Sequence, residues 1–287
     1  MSKRDILITN DDGIESEALG PLADALAEVG DVHIIVPERN WSGASHSITL
    51  FRPLRCRPTR LRTGQSAYTT DGSPTDCVRL AVLGFLGHKP DLVVSGINRG
   101  ANLGDDITYS GTVAAAMEGL LSNVPSIAIS IGAFGSGIDF GTAASFAALL
   151  ARNILDRGFA PDALLNVNVP ATPREQIAGV EVTRLGKRNY RDQLVERLDP
   201  YGNPYYWVGG PAVSDEAEPG TDVAALRAGK ISVTPIYLDL TSHALIDELA
   251  KWDWGWTAPV KVPADSRAGP PPTRNAEPKA ELTDRAP

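Results

Sequence analysis

Only two cysteines, Cys56 and Cys77, occur among 287 residues, so no disulfide framework holds this chain, and neither is spaced with histidine as a structural zinc site requires. Histidine is scarce too, limited to His33, His46, His88 and His243. His33 lies in a strand pattern and His88 in a loop ahead of Lys89-Pro90, so both read as structural. His46 sits in a polar loop from which it could reach a leaving group, and His243 reads as a helix cap. No uncharged apolar run is long enough to cross a bilayer, because Gly, Ser and Pro interrupt even the stretch 124–140. The four-residue apolar run before Asn10 is too short for a signal-peptide core, and the expectation is a cytoplasmic protein with no membrane partner. Basic residues are outnumbered, 27 Lys+Arg against 35 Asp+Glu, giving a net charge of -8 and a pI near 5.1. That field opposes a nucleic-acid polymer, and any anionic ligand must be met locally by backbone N–H groups or a bound cation. Three familiar motifs are missing as well. Neither GxGxxG nor GxxxxGK[ST] follows the first strand, and there is no GxSxG elbow or Ser-His-Asp order. Nicotinamide, P-loop and triad-hydrolase chemistry are therefore disfavoured.

What the chain does have is apolar residue, 43% of it, arranged in two alternating textures. Up to about Arg157, short β-branched runs at 5–9, 32–36, 92–95 and 126–130 alternate with runs of helical period. The strand runs are nearly continuous rather than alternating, as parallel strands covered on both faces require, so the expected fold is α/β with a doubly wound, mostly parallel sheet. Leu19, Leu22, Leu26 and Val29 mark a first helix. A second runs through Val78, Ala81, Val82, Phe85 and Leu86, and opens on Ser73-Pro74-Thr75-Asp76, close to a capping box. Val113, Ala116, Met117, Leu120 and Leu121 mark a third helix, and Phe146, Leu149, Leu150 and Ile154 a fourth.

After Arg157 strands are expected at 164–169, 180–185 and 230–237, and a helix at 242–252. Between them, 187–222 is rich in Tyr, Gly, Pro and Asp with little periodicity, which predicts a projecting hairpin or arm used in subunit contact. From Thr257 to Pro287 there are 7 of the 22 prolines and no aromatic residue, so this tail is expected to be disordered. The organisation that follows is a core at 1–186, a C-terminal arm, strand and helix at 187–256, and a Pro-rich tail at 257–287.

Four polar segments fall at strand or helix ends and should meet along the carboxyl edge of the sheet. The first strand ends in Thr9-Asn10-Asp11-Asp12-Gly13, and two adjacent carboxylates repel unless a hard divalent cation joins them, although Asp-Gly is also a plain turn dipeptide. The second runs into Glu38-Arg39-Asn40-Trp41-Ser42-Gly43-Ala44-Ser45-His46, hydroxyl-rich and suited to oxyanion contact. The third long strand leads into Asn98-Arg99-Gly100-Ala101-Asn102-Leu103-Gly104, and the third helix starts at Tyr109-Ser110-Gly111-Thr112, with Ser110 or Thr112 as its cap. A helix start preceded by glycine leaves N–H groups open to phosphate.

These residues carry a resemblance. ILITNDDGI, ERNWSGASHSITL, TDGSPTDCV and SGINRGANLGDDITYSGTVAAAMEG together resemble the SurE family of stationary-phase survival proteins, metal-dependent 5'/3'-nucleotidases, and LNVNVP, VTRLG, DPYGNPYYW, PGTD and SVTPIYLDLT extend the likeness over 6–249. It implies a Rossmann-like core and one Mg²⁺ or Mn²⁺ per subunit, with metal ligands at Asp11, Asp12, Ser42 and Asn98. Asn102, Gly43, Ser110, Gly111 and Thr112 then surround the phosphate, with Asp11, Asp12 and Asn102 as the catalytic set. The implied substrate is a nucleoside monophosphate, and the implied assembly a homodimer or homotetramer with C-terminal exchange. Two other readings stay open: a phosphatase for polyphosphate or general phosphomonoesters, and a nucleotide-binding regulatory module without turnover. This chain departs from the family pattern in Glu15-Ser16-Glu17-Ala18, where His or Ser then Ala-Pro-Gly is usual, in Trp41 where Arg is frequent, and in the Pro-rich tail. Trp41 offers two readings, a stacking platform for any base or a ring that packs under its own loop.

Overall fold

The computed structural model describes residues 4–157, 164–187, 193–209 and 217–255. Its strands are β1 (Asp5–Thr9), β2 (Asp31–Pro37), β3 (Cys56–Arg60), β4 (Ser66–Thr70), β5 (Leu92–Arg99), β6 (Ser126–Ile131), β7 (Leu164–Val169), β8 (Val180–Val182), β9 (Gln193–Leu198), β10 (Pro204–Gly209) and β11 (Ile231–Ile236). The α-helices are α1 (Leu19–Ala27), α2 (Pro74–Leu80), α3 (Gly111–Leu121), α4 (Gly141–Arg157), α5 (Asp222–Arg227) and α6 (His243–Leu249).

Nine strands form one sheet in the order β3-β4-β2-β1-β5-β6-β7-β11-β8. From β4 to β7 every pairing is parallel; β3 and β11 run against their neighbours β4 and β7. The chain winds outward from β1 in both directions, so the carboxyl ends of β1 and β5 flank the point where the winding reverses, the place where open α/β sheets hold ligands. β11 pairs with β7 over Ser232–Ile236, so the main sheet draws on residues beyond 186.

The alternation of the pleat explains why both faces of β1 are apolar. Ile6 and Ile8 point into one layer with Leu19, Leu22 and Leu26 of α1 and the alanines Ala143, Ala144, Ala147 and Ala151 of α4. Leu7 points into the other, with Cys77, Val78 and Ala115 from α2 and α3. These are the helices on both faces that the continuous apolar runs demand.

α2 carries a full capping box: Ser73 Oγ accepts from the Asp76 N–H at 3.1 Å, and Asp76 Oδ2 accepts from the Ser73 N–H at 2.9 Å. The same pair ties down the loop after β2, because Ser73 Oγ donates to the Ser47 carbonyl at 2.7 Å and Asp76 accepts from the Thr49 N–H and hydroxyl at 3.0 and 2.7 Å. The helix expected to run on through Leu86 instead continues as a wider turn over Ala81–Phe85 and is broken at Gly84, whose φ is +102°.

β9 and β10 form the antiparallel hairpin anticipated in the aperiodic segment, and every residue of both strands is exposed. Its base is closed. Arg184 N–H donates to the Gly220 carbonyl at 3.0 Å, Asp222 N–H to the Arg184 carbonyl at 3.0 Å, and Arg184 pairs with Glu218 at 2.7 Å. Residues 237–255 belong to a second unit that includes α6, where Trp254 Nε1 donates to the Leu249 carbonyl at 3.1 Å. The expected tail at 257–287 lies outside the described residues. Among the described residues, no helix is long and apolar enough to cross a membrane.

Candidate functional site

Just past the end of β1, the Asn10 side chain folds the chain back by a double hydrogen bond with Gly13, Oδ1 accepting from its N–H and Nδ2 donating to its carbonyl, both at 3.1 Å. This turn presents Asp11 and Asp12. The α3 N-terminus arrives from the other side, and Gly111 is needed there, since a Cβ would lie 2.8 Å from the Asp11 Cβ. Ser110 is the cap, its Oγ accepting from the Val113 N–H at 3.1 Å. The Thr112 hydroxyl donates to Asp11 Oδ1 at 2.5 Å. Thr112 is wholly buried and its hydroxyl is committed to Asp11, so it supports the carboxylate rather than reaching a phosphate by its side chain.

On β5, the pairing with β6 shifts register between Ser95 and Asn98, a bulge that re-aims the strand end. Gly96 permits it, because a Cβ there would sit 2.2 Å from the Ile129 carbonyl. Asn98 Nδ2 donates to the Gly100 carbonyl at 2.8 Å, which leaves Oδ1 as the atom Asn98 can offer to a cation. Asn102 is buried and held on three sides: its N–H donates to Asn168 Oδ1 at 2.8 Å, its Nδ2 to Ser130 Oγ at 2.8 Å, and its carbonyl accepts from the side chains of Asn166 and Asn168. Two residues on, the Gly104 N–H donates to Asp222 Oδ2 at 2.8 Å. The loop after β2 closes the site, with the Trp41 N–H donating to the Asp11 carbonyl at 2.7 Å and Ser45 Oγ to the Thr108 carbonyl at 2.6 Å.

The result is a cavity of about 310 Å³ lined by Asp11, Ser42, Gly43, Asn98, Asn102 and Ser110 among the sequence-predicted residues. Asp12 stands beside it, half-buried, while Gly111 and Thr112 lie behind the lining. The remaining walls include Arg99, Asp106, Tyr109 and Phe134.

The two carboxyls are electrostatically uncomfortable. Burial pushes Asp11 above the usual carboxylate range, with Thr112 as the main opposing influence. Asp12 is pushed up to about 6 by burial and then by the charge of Asp11, with Arg99 opposing. Asp12 Oδ2 is buried without a hydrogen-bond partner. An unpartnered oxygen, two raised carboxyls, a hydroxyl and an amide oxygen together form an all-oxygen donor set that suits a hard divalent cation.

Some expectations change. His46 does not line the cavity; its Nε2 lies 3.1 Å from Glu118, a buried carboxylate that also takes Arg79 at 3.3 Å and needs both partners. Trp41 does not line it either: its indole packs under Arg39 at 4.7 Å. The added acids are not loose charges, since Glu15 pairs with Arg62 and Glu17 with Arg99 at 2.8 Å. Phe134 was missed. It follows β6 in a Gly- and Ser-rich stretch with no motif around it, yet its ring closes over Gly100, where a Cβ would meet it at 2.3 Å.

Fold and site define an α/β protein whose carboxyl-edge crevice combines a buried acidic pair with the start of a helix. Comparison with known proteins makes the class specific: the model of the survival protein SurE family matches residues 6–192, and the chain belongs to that family. It is 51% identical over 250 residues to the 5'-nucleotidase SurE of Chloroflexus aggregans, covering 87% of this chain and 99% of that one. It is 45% identical over 249 residues to the 5'-nucleotidase SurE of Geobacter metallireducens, covering 87% and 97%. The crystal structure of the SurE protein from Aquifex aeolicus superimposes with a TM-score of 0.73 at 42% identity, over 85% of this chain and 98% of that one. The resemblance seen in the sequence is borne out.

Proposed function

We propose that this chain is a divalent-metal-dependent phosphomonoesterase that hydrolyses nucleoside 5'- and 3'-monophosphates to nucleoside and phosphate. The observation that carries the reading is the Asp11–Asp12 pair at the cavity, Asp11 buried in its lining and Asp12 half-buried beside it with one oxygen unpartnered, next to the hydroxyl and amide groups of Ser42, Asn98, Asn102 and Ser110. Asp11, Asp12, Ser42 and Asn98 would hold one Mg²⁺ or Mn²⁺ per subunit. Such an ion, when bound, offsets charge on a phosphate oxygen and polarises the phosphorus centre.

The protein's own groups do the rest. Thr112 fixes the orientation of Asp11. Ser110 at the helix start and the Gly43 turn, both in the lining, meet the remaining phosphate oxygens, while the backbone N–H groups of Gly111 and Thr112 are directed to the Asp11 carboxylate and act on the phosphate through it. Asn102, immobilised by Ser130 and Asn168, supports the phosphate from the opposite wall. Asp12 orients the attacking water through its spare lone pairs. Water adds to phosphorus in line, the bond from phosphorus to the ribose oxygen breaks, and the proton from water ends on that leaving oxygen.

A monophosphate is favoured over a triphosphate because Arg99 is the only Lys or Arg in the described lining, and Glu17 already engages it. Base selectivity is loose: Tyr109 and Phe134 present largely exposed rings, 66% and 84%, that stack on any base. The exposed hairpin, with Tyr201, Tyr205, Tyr206 and Trp207, is the surface for a homodimer or homotetramer with C-terminal exchange. The cytoplasm is the proposed compartment.

The test is a phosphate-release screen of 5'- and 3'-nucleoside monophosphates, ATP, a sugar phosphate and long-chain polyphosphate with Mg²⁺, Mn²⁺ or EDTA, alongside Asp12→Asn. Monophosphates should lead, EDTA should abolish turnover, and Asp12→Asn should lose at least ~10²-fold in rate. Undiminished turnover after exhaustive chelation sinks the metal assignment; no release from any substrate makes the crevice a binding module.

A further inference from the structure

Catalysis by this reading uses the carboxyl edge of the sheet, yet a second convergence of ligating groups lies at the opposite edge. Asp5 opens β1, His33 lies in β2, and His88 sits in the connection that leads from α2 to β5. Asp5 Oδ1 is 2.9 Å from His33 Nε2 and 3.1 Å from His88 Nε2, and the three ligand atoms all fall within 4.8 Å of one another. Counting strand rise from Asp5 to Asp11 separates this cluster from the crevice by roughly 20 Å.

We propose that Asp5, His33 and His88 form a transition-metal site, Zn²⁺ foremost, that clamps three segments of the chain together. In a tetrahedral zinc site the bonds to nitrogen and oxygen are ~2.0–2.2 Å, which puts neighbouring ligand atoms about 3.3–3.5 Å apart. The two nitrogen-to-oxygen separations, 2.9 and 3.1 Å, fall about half an ångström or less short of that value, so small side-chain rotations open the set to an ion. Both rings turn Nε2 toward the same carboxylate oxygen, with their planes at 66° and centroids 5.2 Å apart, so two nitrogens and an oxygen aim at a common region without stacking.

The placement does not depend on the metal. The Asp91 N–H donates to the Asp5 carbonyl at 2.8 Å and the Asp5 N–H to Asp91 Oδ2 at 2.9 Å, so the connection bearing His88 is fastened to the start of β1. His33 is placed by the parallel pairing of β1 with β2. A preformed set loses little freedom on binding. Side-chain exposures of 29% for Asp5, 27% for His33 and 42% for His88 let an ion enter and leave room for water as a further ligand. Nitrogen ligands separate this site from the all-oxygen crevice: imidazole favours Zn²⁺ and its neighbours, whereas Mg²⁺ takes oxygen. The role is structural, since the cluster joins β1, β2 and the approach to β5 and touches no part of the cavity. The alternative chemistry is a hydrogen-bonded triad in which Asp5 accepts from both rings.

The test keeps the full chain in millimolar Mg²⁺, so that the oxygen site is saturated, and titrates Zn²⁺ or Co²⁺ into wild type, His33→Gln and His88→Gln. Wild type should take up one equivalent of Zn²⁺ on equilibrium dialysis and melt at higher temperature with it. With Co²⁺ it should show the visible absorption of a nitrogen-ligated, low-coordinate ion. Each variant should weaken uptake at least ~10-fold and lose the absorption, while Mg²⁺-supported phosphate release by His88→Gln stays at the wild-type rate. His88 is exposed, so His88→Gln keeps the fold and guards against a trivial loss through misfolding. Uptake and spectrum unchanged in both variants, or no uptake by wild type, would overturn the site and leave the triad as a hydrogen-bonded clasp.

Discussion

Replacing Thr112 with valine removes one hydroxyl and almost no volume, and it tests how far Asp11 depends on a residue behind the cavity. The Thr112 hydroxyl donates to Asp11 Oδ1 at 2.5 Å, both residues are buried, and this bond is the largest influence opposing the upward push of burial on the Asp11 carboxyl. A hydrogen bond to a charged group contributes about 1.5–3 kcal/mol. Its loss raises the Asp11 pKa further, disfavours the anion and weakens any cation held there. At 1.4 kcal/mol per decade, the Mn²⁺ concentration giving half-maximal phosphate release should rise ~10- to 150-fold in Thr112→Val. Turnover at saturating Mn²⁺ should fall much less. Thr112→Ser retains the hydroxyl and should recover most of the metal affinity, which a purely steric role would not explain. The assay is phosphate release from a nucleoside monophosphate over a metal titration. A Thr112→Val enzyme with wild-type half-saturation and wild-type turnover would refute the reasoning.

Phe134→Ala should raise KM for nucleoside monophosphates several-fold while Trp41→Ala leaves it nearly unchanged, because the Phe134 ring lines the cavity and the Trp41 indole packs under Arg39; the reverse ranking would return base stacking to Trp41. Ser73→Ala should cost about 1–2 kcal/mol, since it removes a helix cap together with the tie to Ser47. For a domain of this size that amounts to a melting-temperature drop of ~2–8 °C, and an unchanged melting curve would show the cap to be dispensable. Substituting Tyr205 and Trp207 together with serine should shift the particle to a smaller species by light scattering at micromolar concentration, whereas an identical mass distribution would place the subunit contact elsewhere.

The parts legible in the sequence were those in which neighbouring residues settle the outcome. β1 and its Asn-Asp-Asp-Gly turn, the Ser73 capping box and the Ser110 cap are local, and each lies where its motif indicates. β3 escaped notice because it is the edge strand: it reads Cys-Arg-Pro-Thr-Arg and has no buried face to impose a pattern, while β4 beside it is a five-residue strand whose buried positions, Ala67, Thr69 and Thr70, are small or polar. The Glu17–Arg99 pair spans 82 positions and the contact from Asp222 to Gly104 spans 118, so nothing local announces either. The two histidines of the far edge looked structural one at a time; only the parallel register of β1 with β2, which pairs Leu7 with His33 and Asp5 with Asp31, brings the His33 ring diagonally within 2.9 Å of Asp5.

The closed base of the hairpin arm has a consequence for what this fold tolerates. Arg184, Glu218, Gly220 and Asp222 shut the neck through which the chain leaves and returns, and Asp222 reaches past it to fix Gly186 and Gly104 through its two oxygens at 2.8 Å each. The intervening segment is thus a loop whose ends are already joined. Its closure entropy grows only logarithmically, about 0.6 kcal/mol for each doubling of length. Insertions and deletions beyond the neck therefore leave the crevice in register, because the hold of Asp222 on Gly104 does not depend on the length of the arm.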